Sequence, residues 1–384
     1  MLSALKNSLT RRSLSLVLLG VVSLIGCNDS SSKPSGSGPI DQSGKSASKG
    51  AIKVGFITVG PKDDWGYNYA HDQGRQAIEK NMGNEVEATL VEKIPESAEV
   101  ERVMERMIAD GTKLIFPTSY GYLDPALRVA ERHPDVVFMH CGGFKSSKNL
   151  GTYFSYIHEP MYVSGFVAGK MTKSNKLGFV AAHPIPQVLR NINAFALGAR
   201  SANPEVTVSV VWTNNWYDPA KEAEAANGLI DQGADVLSMH QDSPLTVVQT
   251  AEKRGVYSVG YHADISKFAP KGWLTGARWE WGDLYTRIAK SVKDGTWKTD
   301  QYRAGMDDGA VTVSEFGAAV PEDVRKEALA LKEKIAKKEF VVFQGPLMDR
   351  DGKERISDGQ KPDFDWMEKM DWFVEGVQGS IATK

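Results

Sequence analysis

Cysteine is almost missing from this 384-residue chain: only Cys27 and Cys141 are present, too few for a disulfide framework or a cysteine zinc cluster. An excess of either charge is missing too. Lysine and arginine number 46 against 48 aspartates and glutamates, a formal charge of −2, so no basic field points to nucleic acid as a partner. No GxGxxG after a predicted strand, no GxxxxGK[ST], no GxSxG and no HExxH occurs, which removes the common dinucleotide, nucleotide, serine-hydrolase and zinc-protease signatures. The seven histidines show no metal-ligand spacing, although His240 and His262 fall at two predicted strand ends and could meet. The expectation is a protein with no catalytic residues, no metal and no cofactor.

What is present begins with a targeting segment. Lys6, Arg11 and Arg12 precede an apolar run from Leu16 to Ile25, and residues 1–26 hold no acid, the layout of a secretory signal peptide. The run is short for a membrane span, which takes about 20 apolar residues. It ends in Leu24, Ile25, Gly26 and Cys27, a string that looks like a bacterial lipobox. Cleavage before Cys27 and its acylation would hold the mature chain at a membrane, each buried methylene adding roughly 0.8 kcal/mol. Cys141 would then stand alone, which excludes an intramolecular disulfide. Without residues 1–26 the formal charge moves from −2 to −5, a mildly acidic body. Residues 27–50, rich in Ser, Gly, Asp and Lys, have little to bury and read as a flexible tether.

Along the body, apolar β-branched runs alternate with helical patterns. Residues 51–58, 87–94, 113–118 and 136–142 read as strands, separated by helices over about 69–82, 98–109 and 123–133. A second series has strands over 176–182, 206–213, 235–240 and 257–261, with helices over about 187–202, 219–232 and 245–254. This predicts an α/β fold of two lobes, each a parallel sheet flanked by helices. The length of the body suits two domains. The first lobe is expected over 51–141 plus about 262–312, and the second over about 142–261 plus 313–384. Several crossings between them make a hinge, with the cleft at the carboxyl ends of the strands, where open α/β sheets bind ligands. Residues 315–338 read as an amphipathic surface helix.

Candidate site residues are those just after strand ends. After the first strand, Asp64 and Asn68 can address a polar ring edge, and Tyr67 or Trp65 offers a flat face for stacking. Asp64 capping the next helix and Tyr67 packing inside the lobe are the structural alternatives. Tyr120 and Gly142 follow the third and fourth strands, where small residues let a ligand approach the backbone. In the second series Trp216 is the preferred aromatic partner of Tyr67, while Trp212 suits the core. Asp242 and Ser243 precede a helix, as contacts or as its cap; Asp264 follows the last strand, and Trp279 stands at a further strand end beside Trp281. Aromatic walls with a few carboxylates and amides describe a pocket for a flat, nitrogen-rich, neutral or weakly cationic molecule.

These segments carry a resemblance. The lipobox, DDWGYNYAHDQGR over 63–75, TSYGY over 118–122, NNWYDPAKEAEAANGLIDQGADV over 214–236 and GYHADIS over 260–266 resemble the BMP family of basic membrane lipoproteins. The resemblance spans about 51–345. It implies a type I periplasmic binding protein that delivers a purine nucleoside or base to the permease and ATPase subunits of an ABC importer. Position by position, it implies Asp64, Tyr67 and Asn68 on the base from the first lobe and Trp216 from the second, with Asp242 and Asp264 in polar recognition. One departure bears on the ligand: nucleoside binders of the family carry a lysine on the ribose side where this chain has Trp279. An indole cannot replace the donors of an ammonium, so a free base such as adenine is slightly favoured over a nucleoside. The expectation is a monomeric lipoprotein at the periplasmic face of the envelope. A periplasmic sensor is one alternative, and a nucleoside hydrolase using Asp63, Asp64 and Asp242 around a calcium is another.

Overall fold

A computed structural model describes residues 50–381. The signal peptide, Cys27 and all but the last residue of the tether lie outside them. The chain begins with strands and helices alternating up to β4 and then a second strand: β1 (Ile52–Ile57), α1 (Tyr67–Met82), β2 (Val86–Val91), α2 (Glu99–Ala109), β3 (Leu114–Pro117), α3 (Leu123–Arg132), β4 (Val137–Cys141) and β5 (Leu150–Ser155). It continues through α4 (His158–Met171), β6 (Lys176–Ala181), α5 (Pro186–Ala202), β7 (Thr207–Trp212), α6 (Pro219–Asp231), β8 (Val236–His240), α7 (Leu245–Arg254), β9 (Tyr257–His262) and β10 (Trp273–Trp279). The remaining elements are α8 (Trp281–Lys293), β11 (Gln301–Ala304), β12 (Val311–Val313), α9 (Glu322–Ala336), β13 (Leu347–Met348), β14 (Glu354–Ile356), α10 (Phe364–Met367) and β15 (Val377–Gln378).

Local chemistry sets many boundaries. Asp218 accepts a hydrogen bond from Lys221 N and Pro219 opens α6, a capped start with a ready-made φ. Gly255, at φ 71°, ends α7 in the left-handed conformation that costs glycine nothing. In α3 the buried Leu123, Ala126, Val129 and Ala130 recur at helical spacing and pack on α2 and β4.

Two sheets carry the lobes. The first has strand order β11-β5-β4-β3-β1-β2, all parallel. The second has order β12-β10-β9-β8-β6-β7-β15 and is parallel except for β12, which runs antiparallel to β10. The division of the chain therefore differs from the one expected. β5 pairs with β4 in the first sheet, so the first crossing falls at Tyr156–Ile157 and not at 142. β10 stays in the second sheet, which moves the second crossing from about 261 to Glu280. The third crossing lies at 305–310, between β11 and β12. The glycine- and lysine-containing stretch 142–149 is the β4–β5 connection: Gly142, at φ 72°, turns the chain, which returns along β4 without a helix. Helix α8 was not foreseen either; it packs on α1 in the first lobe.

Candidate ligand-binding site

The loop from β1 to α1 faces the β8–α7 loop across the cleft. Asp64, buried, holds its own loop together: Oδ1 accepts from Gly66 N at 2.8 Å and Tyr69 N at 2.9 Å, and Oδ2 from Asn68 N at 3.0 Å and Asn68 Nδ2 at 2.7 Å. Asn68 Oδ1 accepts from Gly60 N at 3.2 Å. Burial raises the Asp64 pKa and these hydrogen bonds oppose the rise. The other side of the loop meets the second lobe, where Tyr67 N donates to Asp242 O at 2.7 Å and Ser243 Oγ donates to Asp64 O at 2.7 Å. A Cβ on Gly66 would stand 1.9 Å from Asp242 O, so glycine is what lets the two backbones touch. The lobes are closed on each other.

Behind this contact lies a narrow cavity of about 40 Å³, within about 490 Å³ of non-atom space that includes its open mouth. The first lobe lines it with Tyr67, Ser119, Tyr120, Cys141, Gly142 and Phe154. The second supplies Gln187 from the first turn of α5, Trp216, His240, Asp242, Tyr261, His262 and Trp279. The Tyr67 hydroxyl donates to Thr118 O, and its ring stands edge-on to His71 at 4.5 Å and to His262 at 5.4 Å, which fixes the plane it presents. Trp216 is held edge-on against His183 at 4.9 Å.

The polar groups are sharply assigned. His262, at φ 73°, donates from Nε2 to Gln241 O at 3.0 Å and accepts at Nδ1 from Trp279 Nε1 at 2.8 Å. That pair of bonds needs a neutral imidazole, and burial together with the neighbouring His240 lowers its pKa well below the usual value. His240 Nδ1 accepts from Asn191 Nδ2 at 3.0 Å, leaving Nε2–H to face the Tyr261 hydroxyl at 3.5 Å; burial lowers its pKa to about 3. Burial pushes the Cys141 thiol up to about 12. Asp242 differs from all of these. Its carboxylate is half-buried at the cavity wall, and burial, then Asp64, Glu96 and Glu222, hold its pKa well above the usual carboxylate range. Among the described residues no lysine or arginine lines the cavity. A lone carboxylate acceptor, an imidazole N–H and aromatic walls suit a flat molecule with N–H donors and no negative charge.

Six of the ten residues singled out from the sequence line this cavity: Tyr67, Tyr120, Gly142, Trp216, Asp242 and Trp279. Asp64 and Asn68 instead face a neighbouring pocket with Lys93, Asn215 and Tyr217, which shares Trp216 and Asp242 with the cavity. Ser243 bridges the lobes through Asp64 O. Asp264 accepts from Ser266 N at 3.0 Å and Glu315 N at 3.2 Å, so it ties the β9–β10 loop to the chain after β12 and does not line the cavity. The calcium trio is not assembled: Asp63 is exposed, and among the described residues no group of three or more His, Cys, Asp or Glu is set to hold a metal ion. Sequence reasoning missed Phe154, Gln187 and Tyr261.

Two α/β lobes on parallel sheets, closed over an aromatic cavity at their strand ends, define a type I solute-binding protein. The chain belongs to the Bmp family, whose model, described as ABC transporter substrate-binding protein PnrA-like, matches residues 51–344. It is 42% identical over 330 residues to a purine-binding protein of Brucella abortus (strain 2308), covering 86% of this chain and 94% of that one. It is 37% identical over 332 residues to a Haloferax volcanii protein named for glucose binding by an ABC transporter, covering 86% and 82%. Among solved structures, an ABC transporter solute-binding protein from Conexibacter woesei matches at a TM-score of 0.64 and 25% identity, covering 76% of this chain and 98% of that one. Proteins of this class work outside the cytoplasm.

Proposed function

We propose that the protein is the receptor of an ABC importer for a purine, a free base such as adenine in preference to a nucleoside, and that it is anchored through a lipid on Cys27. The observation that carries the ligand reading is Asp242: a half-buried carboxylate beside Tyr67 and Trp216 from opposite lobes, in a cavity that among the described residues has no cationic side chain. A purine edge supplies N–H donors to the carboxylate, and its faces supply the area that aromatic walls bury. Trp279 supports the base over the nucleoside, because its indole N–H is committed to His262 and offers a ribose nothing. The purine-binding relative supports the same class.

Ligand contacts from both lobes favour the closed form only so far as they are absent from the open one, which makes closure the signal the permease reads. Calorimetry on the purified chain with adenine, adenosine and glucose tests the reading. Adenine is expected to bind most tightly, adenosine more weakly and glucose not at all. Binding of glucose without adenine sinks it. Cys27→Ser is expected to move the protein from the membrane fraction to the soluble one; a variant that stays with the membrane rules out the anchor.

A further inference from the structure

The matched family region ends at residue 344, and the chain beyond it folds onto the second lobe. β15 pairs with β7, Asn193 Nδ2 donates to Trp372 O at 2.9 Å, and Asn193 Oδ1 accepts from Val374 N at 3.0 Å. From this base α10 carries Phe364 to the crossings between the lobes. The Phe364 ring lies 5.1 Å from the guanidinium carbon of Arg190 and 4.4 Å from that of Arg303. Arg190 sits on α5 in the second lobe. Arg303 sits on β11 in the first, where Nη2 donates to Gly143 O at 2.7 Å, next to the cavity-lining Gly142. The same ring is 5.8 Å from Tyr156, at the first crossing.

Arg190 shows how much depends on this segment. It has no exposed surface, its Nη1 donates to Glu368 Oε1 at 2.6 Å, and among the described residues its Nε and Nη2 have no hydrogen-bond partner. Two guanidiniums of like charge, one per lobe, are drawn to one aromatic ring, whose quadrupole attracts both and more strongly where water is excluded. Rotation of the lobes about the crossings would carry Arg303 away with the first lobe while Phe364 stays with the second. The contact thus belongs to the closed form, and a contact made only there shifts the equilibrium toward it.

We propose that Phe364 is a positioning residue for ligand retention: an aromatic bridge between Arg190 and Arg303 that holds the cleft shut and slows release. The proposal rests on the cleft being the ligand site, so its test has one arm that needs a ligand and one that does not. In stopped-flow release of adenine from the full chain, Phe364→Leu, which keeps apolar bulk and loses the π face, should release about tenfold faster. Phe364→Tyr should release at the native rate. In the ligand-free chain, spin labels at Lys80 on the first lobe and Lys173 on the second should show Phe364→Leu shifting the distances toward the open form. Native release by the leucine variant, fast release by the tyrosine variant, or an unchanged distance distribution overturns the bridge. Should adenine not bind the native chain at all, the purine reading fails and the distance measurement alone decides on Phe364.

Discussion

The contact between Gly66 and Asp242 O makes closure testable with one methyl group. In Gly66→Ala the new Cβ would stand 1.9 Å from Asp242 O and 2.6 Å from Pro244 Cδ, both in the opposite lobe. Neither is the end of a flexible side chain, so the lobes must part by more than an ångström. Parting breaks the hydrogen bonds from Tyr67 N to Asp242 O and from Ser243 Oγ to Asp64 O, both 2.7 Å long. At about 1 kcal/mol net each, their loss removes about 2 kcal/mol from the closed state. That is roughly a 30-fold rise in the Kd of a ligand that needs closure. Calorimetry measures the Kd, and the thermal midpoint of the ligand-free chain is the control, since the open form has room for the methyl. An affinity within threefold of the native one, with the fold intact, would refute the idea that these backbones meet in the binding state.

Trp216→Ala and Tyr67→Ala should each cost about 1–3 kcal/mol of binding from lost stacking and buried area, read by the same calorimetry; native affinity in both removes the aromatic sandwich. Asp242 is raised in the folded ligand-free chain, so it destabilises the fold as pH climbs from the ordinary carboxylate range through its raised value, whereas ligand N–H donors favour its ionised form. Affinity should therefore strengthen as pH rises through that value. Asp242→Asn should bind weakly with a flat pH profile yet melt at a higher temperature at neutral pH; a variant that binds as the native chain does contradicts this. Glu159 accepts from Met306 N at 2.7 Å beside the third crossing, and burial raises it to about 7. Its contribution to stability is complete below about pH 4.5 and is lost as pH rises to about 7, so thermal melts across that window should be flatter for Glu159→Gln.

The strands and the helices between them were legible wherever apolar period and turn residues coincided, as in β1–α1 and β7–α6. Helix α4 was not, because it is buried on nearly every side and its sequence shows no polar face to set the period. Its neighbour β5, buried at every position, went unrecognised because the loop before it, rich in Gly, Ser and Lys, reads as the break between the lobes. The site was legible where an aromatic or acid follows a strand, as with Tyr67, Trp216 and Asp242. Tyr261 lies inside the apolar run of β9 and reads as core, Gln187 has no neighbour that marks it, and Phe154 went with the unrecognised strand. For Asp64 the structural alternative describes the observed hydrogen bonds: its oxygens serve the loop that presents Tyr67.

The second crossing is flanked by two indoles. Trp279 ends the last parallel strand of one lobe, Trp281 begins a helix of the other, and the rings stack 4.7 Å apart with 14° between their planes. Swivelling at Glu280 must alter the angle between those transition dipoles, so the near-ultraviolet circular dichroism of the unlabelled chain should carry an optical gauge of how far the jaws stand open.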